Sequence, residues 1–235
     1  MSPCHSLTHN FLVNESLPSD ADIVTRCRQA GYDVLGFKLV DEAQSVIAWV
    51  KYGPNVTIPE ALTQDRVAKA LCNVPSSGLG NPPSFRAFTR EKASFSIGYI
   101  VMEYIDTPDC DKSDVDIVAK AVQALIDLRH RTRPLAASAG ACLLCTSFLS
   151  GFLLLITGPF KTCIIILTTV MNDPRRVDLV ADAQSGLCLC PCDIHPRNFK
   201  KLKDGRVVAL DFSATFFIPP SFVGVAMQPS GGQEA

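Results

Sequence analysis

The sequence lacks charge over one long stretch. No charged residue occurs from Pro134 to Phe160, although Asp, Glu, Lys and Arg make up 19% of the 235-residue chain. Residues 139–160 are apolar on all sides and long enough to pass the usual screen for a membrane-spanning helix. A second apolar run, Cys163 to Met171, is too short to span a bilayer. We expect residues 134–171 to form an atypical apolar insert, with membrane association through residues 139–160 as an alternative that is not favoured.

The abrupt edges of this insert bear on its origin. Ordinary composition returns at Asn172-Asp173-Pro174. A spanning helix would put the residues before and after it on opposite sides of a bilayer, where they could not share a site. We therefore favour a gene-model artefact, such as a retained intron, over a natural membrane segment.

The chain also lacks an excess of either charge. Its formal net charge is −1, and no basic patch with interleaved aromatic residues occurs, so we expect no nucleic-acid partner. Residues 1–18 lack a charged region followed by an apolar core, so a secretory signal is not predicted. The expected location is cytoplasmic, with membrane association as the alternative.

A paired zinc-ligand pattern is missing as well, despite ten cysteines. Three cysteines alternate in Cys188-Leu189-Cys190-Pro191-Cys192. The C-x2-C pair that could complete a zinc site with them is Cys142 and Cys145, which lies inside the apolar insert. Zinc sites favour two C-x2-C pairs. Alternating cysteines of a strand instead behave as small buried side chains, which is the favoured interpretation.

Near the C-terminus, polar residues occur in an order that suits a chemical reaction and not side-chain packing. The stretch Asp193-Ile194-His195-Pro196-Arg197-Asn198 is followed by Asp211-Phe212-Ser213. Phosphoryl transfer requires a carboxylate that orients a hydroxyl and oxygen ligands for metal ions. Asp193 is a candidate for the first role, and Asn198 and Asp211 for the second.

The residues between Asn198 and Asp211 predict a β-hairpin. Asp204-Gly205 separates two strand-like runs, Phe199 to Lys203 and Arg206 to Leu210. Such a hairpin brings Asn198 and Asp211 to one end. An ordinary surface hairpin with scattered carboxylates is the alternative.

A candidate cation and its carboxylate partner occur earlier in the chain. Val46 to Lys51 is typical of a buried strand that ends in lysine. Pro59-Glu60 then opens a predicted helix whose apolar stripe contains Leu62, Val67, Ala70 and Leu71. Lys51 could instead be a solvent-facing strand end, and Glu60 could only complement the helix dipole.

Asp193 to Asn198, with Asp211-Phe212 following, resembles the catalytic loop and metal-binding strand of the aminoglycoside phosphotransferase and protein-kinase-like superfamily, particularly fungal phosphotransferase-enzyme proteins. The resemblance implies an α/β (α+β), two-lobe protein-kinase-like fold. Its N-lobe is an antiparallel sheet plus a helix, and its mainly helical C-lobe is incomplete here. The family usually has His-Gly before the catalytic Asp, whereas this chain has Pro191-Cys192.

The resemblance also implies roles and cofactors. ATP and Mg2+ are the expected cofactors, with Asp193 orienting the acceptor hydroxyl and Asn198 and Asp211 holding the metal. By the same resemblance, Lys51 would bind the phosphates and Glu60 would hold Lys51. Backbone groups of Glu103 to Ile105, after the strand-like run Gly98 to Ile105, meet the adenine edge.

Two further parts of the chain can be set against the resemblance, the phosphate-covering loop and the helix after the adenine-binding segment. The family covers the phosphates with a loop between the first two strands, but Tyr32 to Gln44 contains no G-x-G-x-x-G motif. A helix capped by Ser113 should follow the adenine-binding segment, with a basic C-terminal end at residues 129–133. Its predicted core face consists of Val115, Val118, Val122, Leu125, Ile126 and Leu128.

The predicted organisation has four parts. These are a disordered N-terminus (1–20), a kinase-like N-lobe (21–106), a partial C-lobe with the apolar insert (107–225) and a disordered tail (226–235). The predicted function is ATP-dependent transfer of the γ-phosphoryl group to a hydroxyl of a small molecule, preferred over a protein acceptor. The alternative is a non-catalytic degenerate kinase-like or membrane-associated protein.

Overall fold

The computed structural model describes residues 8–72, 78–92, 95–130, 186–191, 193–218, 220 and 223. The helices whose bounds it describes are α1 (Asp20–Ala30), α2 (Ile58–Cys72) and α3 (Val115–Asp127). The strands are β1 (Thr8–Asn10), β2 (Gly36–Val40), β3 (Val46–Gly53), β4 (Leu79–Gly80), β5 (Ser84–Lys92), β6 (Phe95–Met102), β7 (Arg129–His130), β8 (Leu187–Pro191), β9 (Phe199–Lys201), β10 (Val207–Ala209) and β11 (Thr215–Ile218).

The contacts divide the chain into two units, Met1–Ala121 with His195–Ser213, and Val122–Ile194 with Ala214–Ala235. The first unit contains a five-stranded antiparallel sheet in the order β1-β5-β6-β3-β2. The predicted mixed α/β class, with an antiparallel sheet and a helix in the N-terminal part, is confirmed.

The two faces of this sheet pack against different helices. On one face, Ile23, Val24 and Cys27 of α1 join a core with buried side chains of β2, β3, β5 and β6. On the other face, Ile58 and Ala61 of α2 pack with Ala87, Ile100, Met102 and the half-buried Trp49. Because side chains alternate along a strand, each central strand contributes to both faces.

Helix α1 was not predicted from the sequence. Its cap is Ser19, whose side chain accepts a hydrogen bond from the Asp22 N–H, and Asp20 and Asp22 lie in the first turn. Residues 8–20, for which disorder is predicted, contain β1, which pairs with β5, and Leu17, which packs against the α1 core. The physical reason for the difference is that these residues find partners on the sheet edge.

Helix α3 begins differently from the prediction. Asp111, not Ser113, is the cap, and a 3-10 turn at Lys112–Asp114 precedes the helix. Val115 is therefore 63% exposed and not part of the core, whereas Val118, Val122 and Leu125 are buried. Arg129 and His130 form β7 and do not extend the helix.

A second sheet in the first unit has the order β4-β10-β9, with β10 parallel to β4 and antiparallel to β9. The predicted Asp204-Gly205 hairpin is confirmed. Gly205 has φ of 83°, and the Leu202 N–H donates to the Arg206 carbonyl at 2.8 Å. The positive φ is the conformation that glycine adopts without strain.

The second unit contains a three-stranded antiparallel sheet in the order β11-β8-β7. Cys188, Leu189 and Cys190 of β8 are all buried, in agreement with a packing role for the two cysteines. The described residues contain no group of three or more His, Cys, Asp or Glu side chains that could hold a metal ion.

The apolar insert 134–171, and with it Cys142 and Cys145, lies outside the described residues, as does Cys192. Among the helices that the structure describes, none has the length and apolar character needed to cross a bilayer.

Candidate functional site

Lys51 lies on the α2-facing side of β3, two residues after Trp49. In the sheet it pairs with Gly36 of β2 and Ile100 of β6. Its side chain is 17% exposed. The predicted strand that carries the lysine is therefore confirmed, but the predicted end at Lys51 is wrong, because β3 continues through Gly53.

Glu60 lies in the first turn of α2 and points its carboxylate at Lys51. Lys51 Nζ donates to Glu60 Oε1 at 2.6 Å, and the Glu60 side chain is only 1% exposed. Glu60 Oε2 is buried and has no hydrogen-bond partner in the described part of the chain. The first turn of α2 therefore places one buried carboxylate against the lysine.

Asp211 brings a second carboxylate to the same ammonium group. Lys51 Nζ donates to Asp211 Oδ1 at 2.8 Å, across 160 positions of sequence. The Ser213 N–H donates to the same oxygen at 3.1 Å. Asp211 follows β10 with φ of 57°, in the left-handed region that few non-glycine residues adopt. This backbone turn orients the carboxylate towards Lys51 and not along the strand.

The three side chains change one another's ionisation. Burial favours neutral Lys51, but Glu60 and Asp211 outweigh it and raise the pKa of Lys51. Burial raises the pKa of Glu60, and Lys51 offsets this only in part. Burial also disfavours the Asp211 anion, but Lys51 and Ser213 stabilise it more and lower the pKa of Asp211. The cluster therefore holds a charged lysine beside a carboxylate that ionises readily.

Asn198 lies at the start of the hairpin that ends near Asp211. It closes a 3-10 turn at Pro196–Asn198, and the Leu210 N–H donates to its carbonyl at 2.7 Å. This bond joins Asn198 to the residue immediately before Asp211. The two predicted metal ligands thus occupy one end of one hairpin.

Asp193, the predicted catalytic carboxylate, is exposed and belongs to the second unit. Lys51, Glu60, Asn198 and Asp211 all belong to the first unit. The structure therefore brings Lys51, Glu60 and Asp211 together within the first unit. The role of Asp193 stays a prediction.

The segment after β6 carries the predicted adenine-binding residues Glu103 and Ile105. Glu103 is exposed and Ile105 is half-buried. The Glu103 N–H donates to the Pro83 carbonyl at 3.0 Å, so this donor is used within the chain. Between them, Tyr104 stacks on Trp49 with ring centroids 6.2 Å apart. The roles of Glu103 and Ile105 stay predictions.

Residues 32–44, where the phosphate-covering loop is expected, contain β2 and most of the turn to β3. Strand β2 pairs antiparallel with β3, and the Asp41 N–H donates to the Ser45 carbonyl at 3.0 Å in this turn. The role of Lys51 in phosphate binding stays a prediction.

Sequence reasoning missed two residues that support the cluster. The Glu60 N–H donates to Thr57 Oγ1 at 3.2 Å, so Thr57 caps the start of α2. The pattern Thr57-x-x-Glu60 is a capping-box signature that could have revealed this. Ser213, which supports Asp211 through its backbone, leaves no comparable sequence signal.

No family model matches the sequence, and no curated protein matches it. Among solved structures, the chain is similar to amicoumacin kinase hAmiN in complex with AMP-PNP, Ca2+ and Ami. The identity is 12% and the TM-score 0.48, over 88% of this chain and 68% of that chain. AMP-PNP and Ca2+ are ligands of that protein, and a similarity at this level assigns no ligand to this one.

Proposed function

We propose that this protein is an ATP-dependent, kinase-like phosphotransferase that transfers the γ-phosphoryl group to a hydroxyl of a small molecule. One observation carries the proposal. Lys51 Nζ contacts Glu60 Oε1 and Asp211 Oδ1 at 2.6 and 2.8 Å, although Asp211 is distant in sequence. A lysine held by a buried carboxylate beside a second, more exposed carboxylate suits a phosphate bound together with a cation.

Lys51 supplies the positive charge for the phosphate oxygens. An ammonium group has three donors, and Glu60 and Asp211 accept from it at one oxygen each. Glu60 is almost fully buried, so it keeps the lysine in place without offering its own charge to solvent. This is a positioning role for Glu60 and a binding role for Lys51.

The residues present fit a divalent cation such as Mg2+. Asp211 offers a carboxylate whose pKa is lowered and which is 33% exposed, and Asn198 offers an amide oxygen from the same hairpin. Mg2+ takes oxygen ligands, often one or two from the protein and the rest from phosphates and water. When bound, the cation neutralises charge on the transferred phosphoryl group.

Asp193 is proposed to accept a hydrogen bond from the acceptor hydroxyl and to orient it for attack. Backbone groups of Glu103 and Ile105 are proposed to meet the base. Because the Glu103 N–H donates to the Pro83 carbonyl, the Glu103 carbonyl is the group that we propose for that contact.

The test is a calorimetric titration of the whole chain with ATP, with and without Mg2+, for the unmodified protein and Asp211→Ala. We expect Mg2+ to tighten ATP binding in the unmodified protein and to have little effect in the variant. Identical weak binding in both proteins would contradict the proposal.

A second measurement separates binding from transfer. Asp193→Ala should keep Mg-dependent ATP binding and lose phosphoryl transfer, measured as ADP release in the presence of a panel of hydroxylated small molecules. ATP binding with no ADP release in the unmodified protein would support the non-catalytic alternative.

A further inference from the structure

The hairpin that carries Asn198 and Asp211 is too short to hold its own position. Strands β9 and β10 have three residues each. An isolated two-stranded hairpin is marginally stable in water even when its strands are longer. On the β10 side it is supported by β4, itself only two residues long. The position of the two predicted metal ligands must therefore depend on other contacts.

Residues 107–114, which connect the end of β6 to α3, supply backbone contacts on the free side of β9. The Cys110 N–H donates to the Phe199 carbonyl at 2.7 Å, and the Lys201 N–H donates to the Pro108 carbonyl at 3.1 Å. Asp109 and Lys200 form an isolated antiparallel bridge. This segment thus pairs with β9 as a short additional strand.

Two lysines of β9 reinforce the pairing with their side chains. Lys200 Nζ donates to the Thr107 carbonyl at 2.8 Å and to Asp109 Oδ1 at 3.0 Å. Lys201 Nζ donates to Asp114 Oδ1 at 2.5 Å. In each ion pair one side chain is about half exposed, Asp109 at 48% and Lys201 at 47%. Their partners are less exposed, Lys200 at 21% and Asp114 at 10%.

Asp114 is fixed at both of its oxygens. Oδ1 accepts from Lys201, and Oδ2 accepts from the Asp111 N–H at 3.1 Å, which completes the capping box before α3. A carboxylate held on two sides has little freedom, and its partner lysine is held with it. Through its buried carboxylate, this ion pair therefore links the start of α3 to the half-exposed Lys201 of β9.

We propose that Asp114 and Lys201 are positioning residues for the metal ligands, acting as a clamp that fixes the β9-β10 hairpin and with it the spacing of Asn198 and Asp211. The inference rests on the proposed function. Neither residue is among the proposed ligands of the metal or the nucleotide. Direct hydrogen-bond partners of metal ligands typically change metal affinity about 10- to 100-fold when altered, and we expect a clamp that acts through the strand to lie at the lower end of that range.

The test measures Mn2+ binding to the whole chain by electron paramagnetic resonance, with a non-hydrolysable ATP analogue present. We expect Asp114→Asn and Lys201→Gln each to weaken Mn2+ binding by about 10-fold. The double variant should be no weaker than the worse single variant, because both changes open the same clamp. Lys201→Arg should keep most of the affinity.

The matched control is Asp204→Asn, which removes another ion pair of the same hairpin. Asp204 Oδ2 accepts from Arg206 Nε at 2.7 Å, and both side chains are more than half exposed. Among the described residues, the hydrogen bonds and the ion pair of the Asp204 side chain all go to Arg206 and none to residues 107–114. We expect its Mn2+ affinity to stay within about twofold of the unmodified protein.

Asp211→Ala separates the two proposals. If it leaves Mn2+ binding unchanged, the proposed metal site itself is wrong. If it abolishes binding while folded Asp114→Asn and Lys201→Gln bind Mn2+ normally, the clamp is wrong and the proposed function stands. Should Asp114→Asn fail to fold, the half-exposed Lys201→Gln decides the question alone.

Discussion

Strand β3 has a different environment on each face. Ala48, Val50 and Tyr52 are buried against α1, whereas Trp49 and Lys51 are only half-buried on the α2 side. The first face contains only packed apolar and aromatic groups, and the second carries an ammonium held by two carboxylates. The strand is anchored by its packed face, and the charged side chain on the other face is held by Glu60 and Asp211.

The comparison predicts that the two faces respond differently to substitution. Changes on the α1 face should reduce stability and leave ligand binding intact. Changes to Lys51 or its partners should act mainly on ligand binding. The following variants test this division, beginning with the largest expected effect on stability.

Gly98→Ala should be the most destabilising, because β6 passes very close to the segment before α2. A Cβ at Gly98 would lie 1.9 Å from the Val56 carbonyl oxygen, a backbone atom that cannot rotate away. We expect a loss of about 3 kcal/mol in the free energy of unfolding, measured with urea. Gly80→Ala is the control, since its Cβ would only press on a Val208 methyl at 3.3 Å. Equal losses in both variants would contradict the close approach.

Val50→Ala tests the packed face beside Lys51. Val50 is fully buried, so the cavity should cost about 2 kcal/mol of unfolding free energy. Val46→Ala, at a 40% exposed position on the same strand, should cost no more than about 0.5 kcal/mol. ATP affinity should be the same for Val50→Ala and the unmodified protein. A large loss of affinity would mean that the two faces are not independent.

Asp211→Asn tests the charged face through pH. Burial opposes the Asp211 anion, but Lys51 and Ser213 favour it more, so the folded-state pKa lies below the ordinary value of 3.8. The resulting stability is fully present above 3.8 and is lost as pH falls through the folded-state value. We expect the free energy of unfolding of Asp211→Asn to fall less steeply at acid pH than that of the unmodified protein. An equally steep fall in both proteins would exclude a stabilising Lys51–Asp211 pair.

Lys69→Met should have the smallest effect. Lys69 Nζ lies 2.7 Å from Asp65 Oδ2 on α2, but its side chain is 71% exposed. Exposed pairs at this helical spacing contribute about 0.5 kcal/mol or less. Urea unfolding should show a change within that range. A loss comparable to that of Val50→Ala would show that exposure does not determine the strength of ion pairs in α2.

Local patterns predicted much of the fold. The Val46 to Lys51 run, the helix opened by Pro59-Glu60 and the Asp204-Gly205 hairpin all depend on neighbouring residues, and all are observed. Exposure within helices was less predictable. Leu62, assigned to the apolar stripe of α2, is 44% exposed, while the polar Gln64 is buried and bonded to the Pro82 carbonyl.

The candidate site depended on contacts that periodicity cannot predict. Lys51 and Asp211 meet across 160 positions, and only the resemblance to a known family suggested that they share a site. The link from Asp114 to Lys201 spans 87 positions and was not predicted at all. In the sequence, Asp114 is an ordinary acidic residue at the start of a predicted helix. Its partner Lys201 lies on a strand far along the chain, so no local pattern indicates the pair.

The most direct test of the central claim compares two lysines that both form ion pairs with α2. Lys51 contacts Glu60 and Lys69 contacts Asp65, so Lys51→Met and Lys69→Met remove the same charge at different places. Calorimetric titration with ATP and Mg2+ should show at least about 10-fold weaker binding for Lys51→Met. Lys69→Met should bind as the unmodified protein does. Equal affinity for the two variants would contradict a phosphate-binding role for Lys51 and, with it, the proposed site.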